Sequence, residues 1–156
     1  MPRITEADLK KQIKNKSFSP VYLIYGTEQM FVKSYTQKLR EAVAGKNPNN
    51  FNCQTFSGDI NLSELATALQ KTPFMAERNC VVASDIYFDN MLKDDLDTFR
   101  ELAGRAWDGT VFIVSMPTYI PSKNKNSFNA LVKRIEKIGF KSSKKRGQQN
   151  CRICKG

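Results

Sequence analysis

Cys80-Val81-Val82-Ala83-Ser84 is a short apolar run that ends in a carboxylate, Asp85. A run of this kind reads as a strand buried on both faces of a parallel sheet. Two further runs, Val21-Tyr22-Leu23-Ile24-Tyr25 and Thr110-Val111-Phe112-Ile113-Val114, have the same β-branched and aromatic character. Stretches with helical periodicity separate them, and alternating strands and helices imply right-handed crossovers that cover the sheet on both sides. The predicted class is α/β, three-layered, with a parallel sheet.

The intervening segments carry their own start and stop signals. Thr5 followed by Asp8 resembles a capping box for a short helix with Leu9 and Ile13 inward. Thr27 is placed to cap a second helix, where Val32, Tyr35, Leu39 and Val43 recur on one face until Gly45 stops it. A loop leads to a strand at 51–56, closed by Ser57-Gly58-Asp59. Asn61 with Glu64 opens a third helix bearing Leu62, Leu65 and Leu69, with the small Ala66 between them, and Thr72-Pro73 ends it. Leu92, Leu96, Phe99, Ala103 and Ala106 mark a fourth helix, and residues 122–137 a fifth, with Phe128, Leu131, Val132 and Ile135 inward.

A fifth strand is due after Ile138-Gly139-Phe140, but Lys141, Lys144, Lys145 and Arg146 make the next stretch too charged for a central position. The sheet then has four strands plus a stub, or its usual continuation has been replaced. We expect one domain over residues 1–140 and a disordered basic tail over 141–156. The net charge of +10 is concentrated there: the tail holds six basic residues and no acid, leaving 19 basic against 15 acidic side chains elsewhere. The globular part therefore has an ordinary soluble surface rather than a nucleic-acid footprint. With no membrane-length run and no signal-peptide core, the expected location is the cytoplasm.

Candidate chemistry is sparse. The chain has no histidine, which removes His general bases and His-containing zinc sites. Cys53 and Cys80 read as reduced, buried thiols; Cys151 and Cys154 have zinc-knuckle spacing but lack a second pair of ligands. Asp94, Asp95 and Asp97 spread around a helix and read as a solvated face. No metal or other cofactor is expected. In a parallel sheet the ligand site lies at the carboxyl ends of the strands. The turn there, Gly26-Thr27-Glu28, offers one glycine, no lysine, and a carboxylate where a phosphate would sit. Asp85 occupies the place where a nucleotide hydrolase holds magnesium, but Ile86 follows it, and it also reads as a plain strand-end turn former.

Thr72-Pro73-Phe74-Met75 is different. Proline fixes φ just ahead of two adjacent large apolar side chains at a helix end, where polar residues would ordinarily turn the chain. Such pairs are often tucked into the local core. A stiffened corner, however, is also the preorganised anchor that an interface hot spot needs, and methionine adapts to a partner's pocket.

Three separated motifs carry a resemblance. Pro20 to Glu28, the Phe51-Asn52 strand with Ser57-Gly58, and Thr72-Pro73-Phe74-Met75-Ala76-Glu77-Arg78 resemble, in order and spacing, the N-terminal domain of the delta subunit of bacterial DNA polymerase III. The resemblance covers about residues 4–140. It implies a degenerate AAA+, RecA-like domain that has lost ATP binding and acts as the wrench of the clamp loader, itself non-catalytic. By resemblance, Phe74 and Met75, with Thr72 and Pro73, plug a pocket of the sliding clamp (beta subunit), and the helix with Leu62, Leu65, Ala66 and Leu69 supports them. Gly26, Thr27, Glu28 and Asp85 are then a degenerate nucleotide site. Further implied partners are the other clamp-loader subunits and, through the complex, DNA. The family's fifth strand, helical lid and collar do not match residues 141–156. Two other functions stay open on the residues alone: a diverged P-loop ATPase, and a nucleic-acid-binding module working through the basic tail.

Overall fold

The three apolar runs become central strands of a six-stranded sheet in which every pairing is parallel. The structure, a computed structural model, describes residues 3–26, 28–48, 51–118, 129–133 and 151–155. In chain order the elements are β1 (Arg3–Ile4), α1 (Glu6–Asn15), β2 (Val21–Tyr25), α2 (Gln29–Ala44), β3 (Cys53–Gly58), α3 (Leu62–Gln70), β4 (Asn79–Ile86), a 3-10 turn (Phe88–Asn90), α4 (Lys93–Ala103), β5 (Thr110–Ser115) and β6 (Cys151–Lys155). The strand order is β1-β6-β2-β5-β4-β3.

Strand alternation divides the core into two layers. Val21, Leu23, Val81, Ala83, Phe112 and Val114 face α3, α4 and Leu131. Tyr22, Ile24, Val82, Val111 and Ile113 face α1 and α2. Because both faces are covered, these strands can be apolar at every position, which is why they read as continuous runs rather than alternating ones. On the first face, Phe99 meets Phe88 and Phe112 edge to face, with centroids 5.3 and 6.2 Å apart. The fully buried phenol of β2 is satisfied: Tyr22 donates to Gln12 Oε1 at 2.8 Å and accepts from the Ser19 N–H at 2.9 Å.

Several local expectations hold. Thr5 and Asp8 form the capping box in both directions, and the Asn61 side chain accepts from the N–H groups of Ser63 and Glu64. Others are corrected. Glu28, not Thr27, occupies the N-cap of α2, without a side-chain bond; Thr27 lies outside the described residues. Phe51 sits in an exposed turn, so β3 starts two residues later than 51–56 implies. Leu92 and Ala106 flank α4 and are exposed rather than inward. Of the helix expected at 122–137, residues 129–133 are helical with Leu131 buried; the rest lie outside the described residues.

The largest correction concerns the tail. Residues 151–155 are not a disordered appendage: they form β6, paired with β1 on one side and all along β2 on the other. The sheet therefore has the fifth long strand that the charge at 141–146 argued against. That charge belongs to residues outside the description, and the strand is made by the next run, Cys151 to Lys155. Its backbone supplies partners to the N–H and C=O groups along the flank of β2, which would otherwise form an open edge. None of the described helices is long and apolar enough to cross a membrane.

Candidate functional site

The connection from α3 to β4 is built on a rigid base. The chain leaves α3 at Lys71 with extended backbone, φ −65° and ψ 128°, and re-enters the sheet at Asn79, which is 3% exposed. The Asn79 side chain spans the two ends: its Nδ2 donates to the Lys71 carbonyl at 2.7 Å. Its backbone N–H donates to the Gly109 carbonyl at 2.8 Å. The seven residues 72–78 therefore project from a base closed by one side chain.

Pro73 is held from the other side. Gly109 has φ +69°, and a Cβ there would lie 2.7 and 2.9 Å from Cγ and Cδ of the Pro73 ring. Glycine is required twice over, for the left-handed backbone and for the space the ring occupies. The turn bearing Gly109 is itself anchored, since Trp107 packs into the core and its Nε1 donates to the Leu102 carbonyl at 3.0 Å. On the far side of the loop the Arg78 guanidinium lies 5.9 Å from the centre of the Phe18 ring.

On this mount Phe74 is 65% and Met75 92% exposed, as their setting predicts. Met75 has φ +53°, a left-handed conformation that costs a non-glycine residue about 1–2 kcal/mol. The local structure thus holds two adjacent apolar side chains in water on backbone that includes one strained residue. Neither arrangement is favourable in the isolated domain. Behind the corner, Leu65 and Leu69 of α3 are buried, Leu62 and Ala66 only partly; the small residue that fits under the helix is Ala68. Thr72 is exposed and Pro73 half-buried.

The crevice at the carboxyl ends of the strands has the opposite character. Opposite the step from Ser57 to Gly58 in β3, the β4 partner jumps from Ser84 to Ile86, leaving Asp85 as the extra residue of a bulge with φ +50°. Its carboxylate accepts from the Thr118 N–H at 2.9 Å and from the Thr118 hydroxyl at 2.8 Å. Gln29, in the first turn of α2, donates from Nε2 to the Thr118 carbonyl at 3.0 Å. Gly26 ends the run from β2, and the Glu28 carbonyl accepts from the N–H groups of Phe31 and Val32 at 3.0 and 3.2 Å. This end of the strands is crossed by the chain's own hydrogen bonds, from Gln29 to Thr118 and from Thr118 to Asp85.

The structure therefore brings Thr72 to Met75 together on one corner and sets Asp85 at a separate crevice with Gln29 and Thr118. Asn79 and Gly109, the residues that fix the corner, carry no local motif; the only hint is that each stands at the border of an apolar strand. Asp94, Asp95 and Asp97 are all exposed on α4, and Asp97 pairs with Arg100 at 2.8 Å. Among the described residues, no three potential ligands gather to hold a metal ion.

The family model for "DNA polymerase III, delta subunit" matches residues 22–145. The DNA polymerase III subunit delta of Bacillus subtilis (strain 168) is 30% identical over 82 residues, 52% of this chain and 24% of that protein. Among solved structures, the Bacillus subtilis DNA clamp loader delta protein (YqeN) superposes with a TM-score of 0.67 at 22% identity, covering 96% of this chain and 42% of that one. A DNA polymerase III gamma subunit-related protein from Thermotoga maritima superposes with a TM-score of 0.58 at 13% identity, covering 94% of this chain and 45% of that one. The chain spans about a quarter of the curated relative's length and less than half of either solved chain.

Proposed function

This chain belongs to the DNA polymerase III delta subunit family, and on that premise we propose that it captures a bacterial sliding clamp through Phe74 and Met75 and helps to open the ring. The observation that carries this reading is the pair itself: two large apolar side chains, 65% and 92% exposed, side by side on a braced corner. A partner that buries both recovers their hydrophobic transfer free energy without first ordering the loop, because Pro73, Asn79 and Gly109 have already ordered it.

Opening the ring is a matter of differential binding. A domain that bound closed and open rings equally would shift nothing, so the plug must fit a clamp surface that is better formed, or less strained, in the open state. The helix α3 behind the corner gives the plug a stiff support through which it bears on the ring. Clamp-loader subunits are the further partners proposed, with DNA reached through the assembly and the cytoplasm as the setting. In this reading the sheet is an AAA+-type scaffold whose nucleotide site, at Gly26, Thr27, Glu28 and Asp85, has lost its function, so that the chain contributes no catalysis to the polymerase holoenzyme. The bonding of Asp85 to Thr118 supports that part of the reading over an ATPase.

The test is direct binding of the whole chain to a purified bacterial sliding clamp by surface plasmon resonance or calorimetry. Saturable binding is expected. No association at tens of micromolar clamp would end the proposal.

A further inference from the structure

The sheet edge farthest from β6 carries two thiols that the clamp-binding proposal does not use. Cys53 of β3 and Cys80 of β4 are register partners. Neighbouring strands lie about 4.8 Å apart, and partners in register on parallel strands present their side chains on the same face. A disulfide accepts Cα separations of about 4.4–6.8 Å, so the backbone already meets the requirement. Both thiols are free, and they differ in access. Cys80 is 1% exposed within the core layer under α2, whereas Cys53 is half-buried and lines an open cleft of about 1070 Å³ that wraps the edge strand β3 from the α2 face to the α3 face.

Arg40 of α2 lines the same cleft, and its Nε is buried without a hydrogen-bond partner. A guanidinium left incompletely satisfied beside a thiol favours the thiolate. We propose that Cys53 and Cys80 form a convertible dithiol in which Cys53, reached through the cleft, reacts with a peroxide and Cys80 resolves the product into a cross-strand disulfide.

The chemistry balances with a peroxide as oxidant. The Cys53 thiolate attacks one peroxide oxygen; the S–O bond forms, the O–O bond breaks, and hydroxide leaves, so the sulfur becomes a sulfenic acid and the peroxide is reduced. Cys80 then attacks the Cys53 sulfur. The S–S bond forms, the S–O bond breaks, and the departing hydroxide takes the Cys80 proton and leaves as water. The division of roles agrees with the acidities. A hydrogen bond from the Cys80 thiol pulls Cys53 down to about 7 against its partial burial, and Arg40 helps. Cys80 is pushed up because it holds that proton and is buried. The other charged side chains lining the cleft are Glu64 of α3 and Lys71 at its C-cap. The bond would join the edge strand β3 covalently to the strand that leads out of the clamp-binding corner.

The four cysteines fall on four different tryptic peptides, Cys53 on 47–71, Cys80 on 79–93, Cys151 on 147–152 and Cys154 on 153–155. The reduced full-length chain would be treated with hydrogen peroxide at neutral pH, blocked with N-ethylmaleimide, digested and read by mass spectrometry. The expected product is the 47–71/79–93 pair, lighter by the two hydrogens lost. In Cys80→Ser, dimedone should trap Cys53 as a sulfenic acid; in Cys53→Ser, Cys80 should stay fully alkylatable after peroxide. Before oxidation, iodoacetamide should label Cys53 roughly tenfold faster than Cys80. The proposal is overturned by absence of the linked pair, by a cross-link of Cys53 to any other cysteine, or by equal labelling rates. Because no clamp is present in this assay, its outcome is independent of the function proposed above.

Discussion

The corner at 72–78 and the crevice at Asp85 lie at opposite ends of the same strand, and they spend their polar and apolar groups in opposite ways. At the crevice, an acidic residue on a bulge is closed off by Thr118, which is in turn bonded by Gln29. At the corner the polar backbone is satisfied at the base, by Asn79 and Gly109, while the two apolar side chains at the tip stand exposed among the described residues. One end has settled its interactions internally; the other has left the unfavourable ones facing out. The comparison teaches that a site is better located by unmet physical demand than by its place in a fold. In a doubly covered parallel sheet the strand-end crevice is the conventional place to search, and here it is the quieter of the two.

The largest effect that could break this comparison is on binding. Phe74→Ala with Met75→Ala should weaken clamp affinity by about 2–4 kcal/mol, roughly 30-fold to several-hundred-fold. The unfolding midpoint should be unmoved, because neither side chain supports the core. A double variant that binds as well as the parent removes the corner from the mechanism. Next is the mount. Asn79→Ala strips one bond from the Lys71 carbonyl in a buried setting and should cost about 1–3 kcal/mol of stability in urea unfolding. It should also weaken clamp binding, since the tip loses its preorganisation. If stability falls and binding does not, the base is structural only.

Asp85→Ala should have a smaller effect, about 1 kcal/mol of stability, since the carboxylate and Thr118 are partly hydrated. ATP binding with magnesium, read by equilibrium dialysis, should be absent in both parent and variant. Micromolar affinity in the parent that Asp85→Ala abolishes would reverse the contrast between the two ends of β4. The smallest effect tests whether exposure alone matters. Phe31 and Leu92 are also large, apolar and exposed, but stand on other elements; their alanine variants should alter stability and clamp binding by no more than about 0.5 kcal/mol. A loss at either position equal to that of the double variant would spread the interface well beyond the corner.

Much of this was legible from residues alone, for identifiable reasons. Strands buried on both faces announce themselves as unbroken apolar runs, so β2, β4 and β5 could be placed nearly to the residue. The exposed pair could be read because proline makes a turn explicit. The mount could not be read: Asn79 and Gly109 lie 30 residues apart in sequence and meet only because β4 and β5 are neighbours. The bulge at Asp85 also depends on the partner strand, since only the jump in register against β3 reveals it. The β6 strand is hidden in the sequence by the charge at 141–146 that precedes it, because a flanking strand recruits its partner through backbone groups that carry no residue identity.

The position of β6 also bears on how the chain assembles. It lies between β1 and β2, so residues at one end of the sequence separate two strands from the other end. During synthesis β2, β5, β4 and β3 can register against one another once about the first 115 residues have emerged. Arg3 and Ile4 have no strand partner until Ile153 and Cys154 arrive. Assembly at that flank is therefore the step of greatest sequence separation and should be the slowest. Pulse-labelling hydrogen exchange during refolding should find amides of β2, β4 and β5 protected first, with those of β1 and β6 closing together at the end.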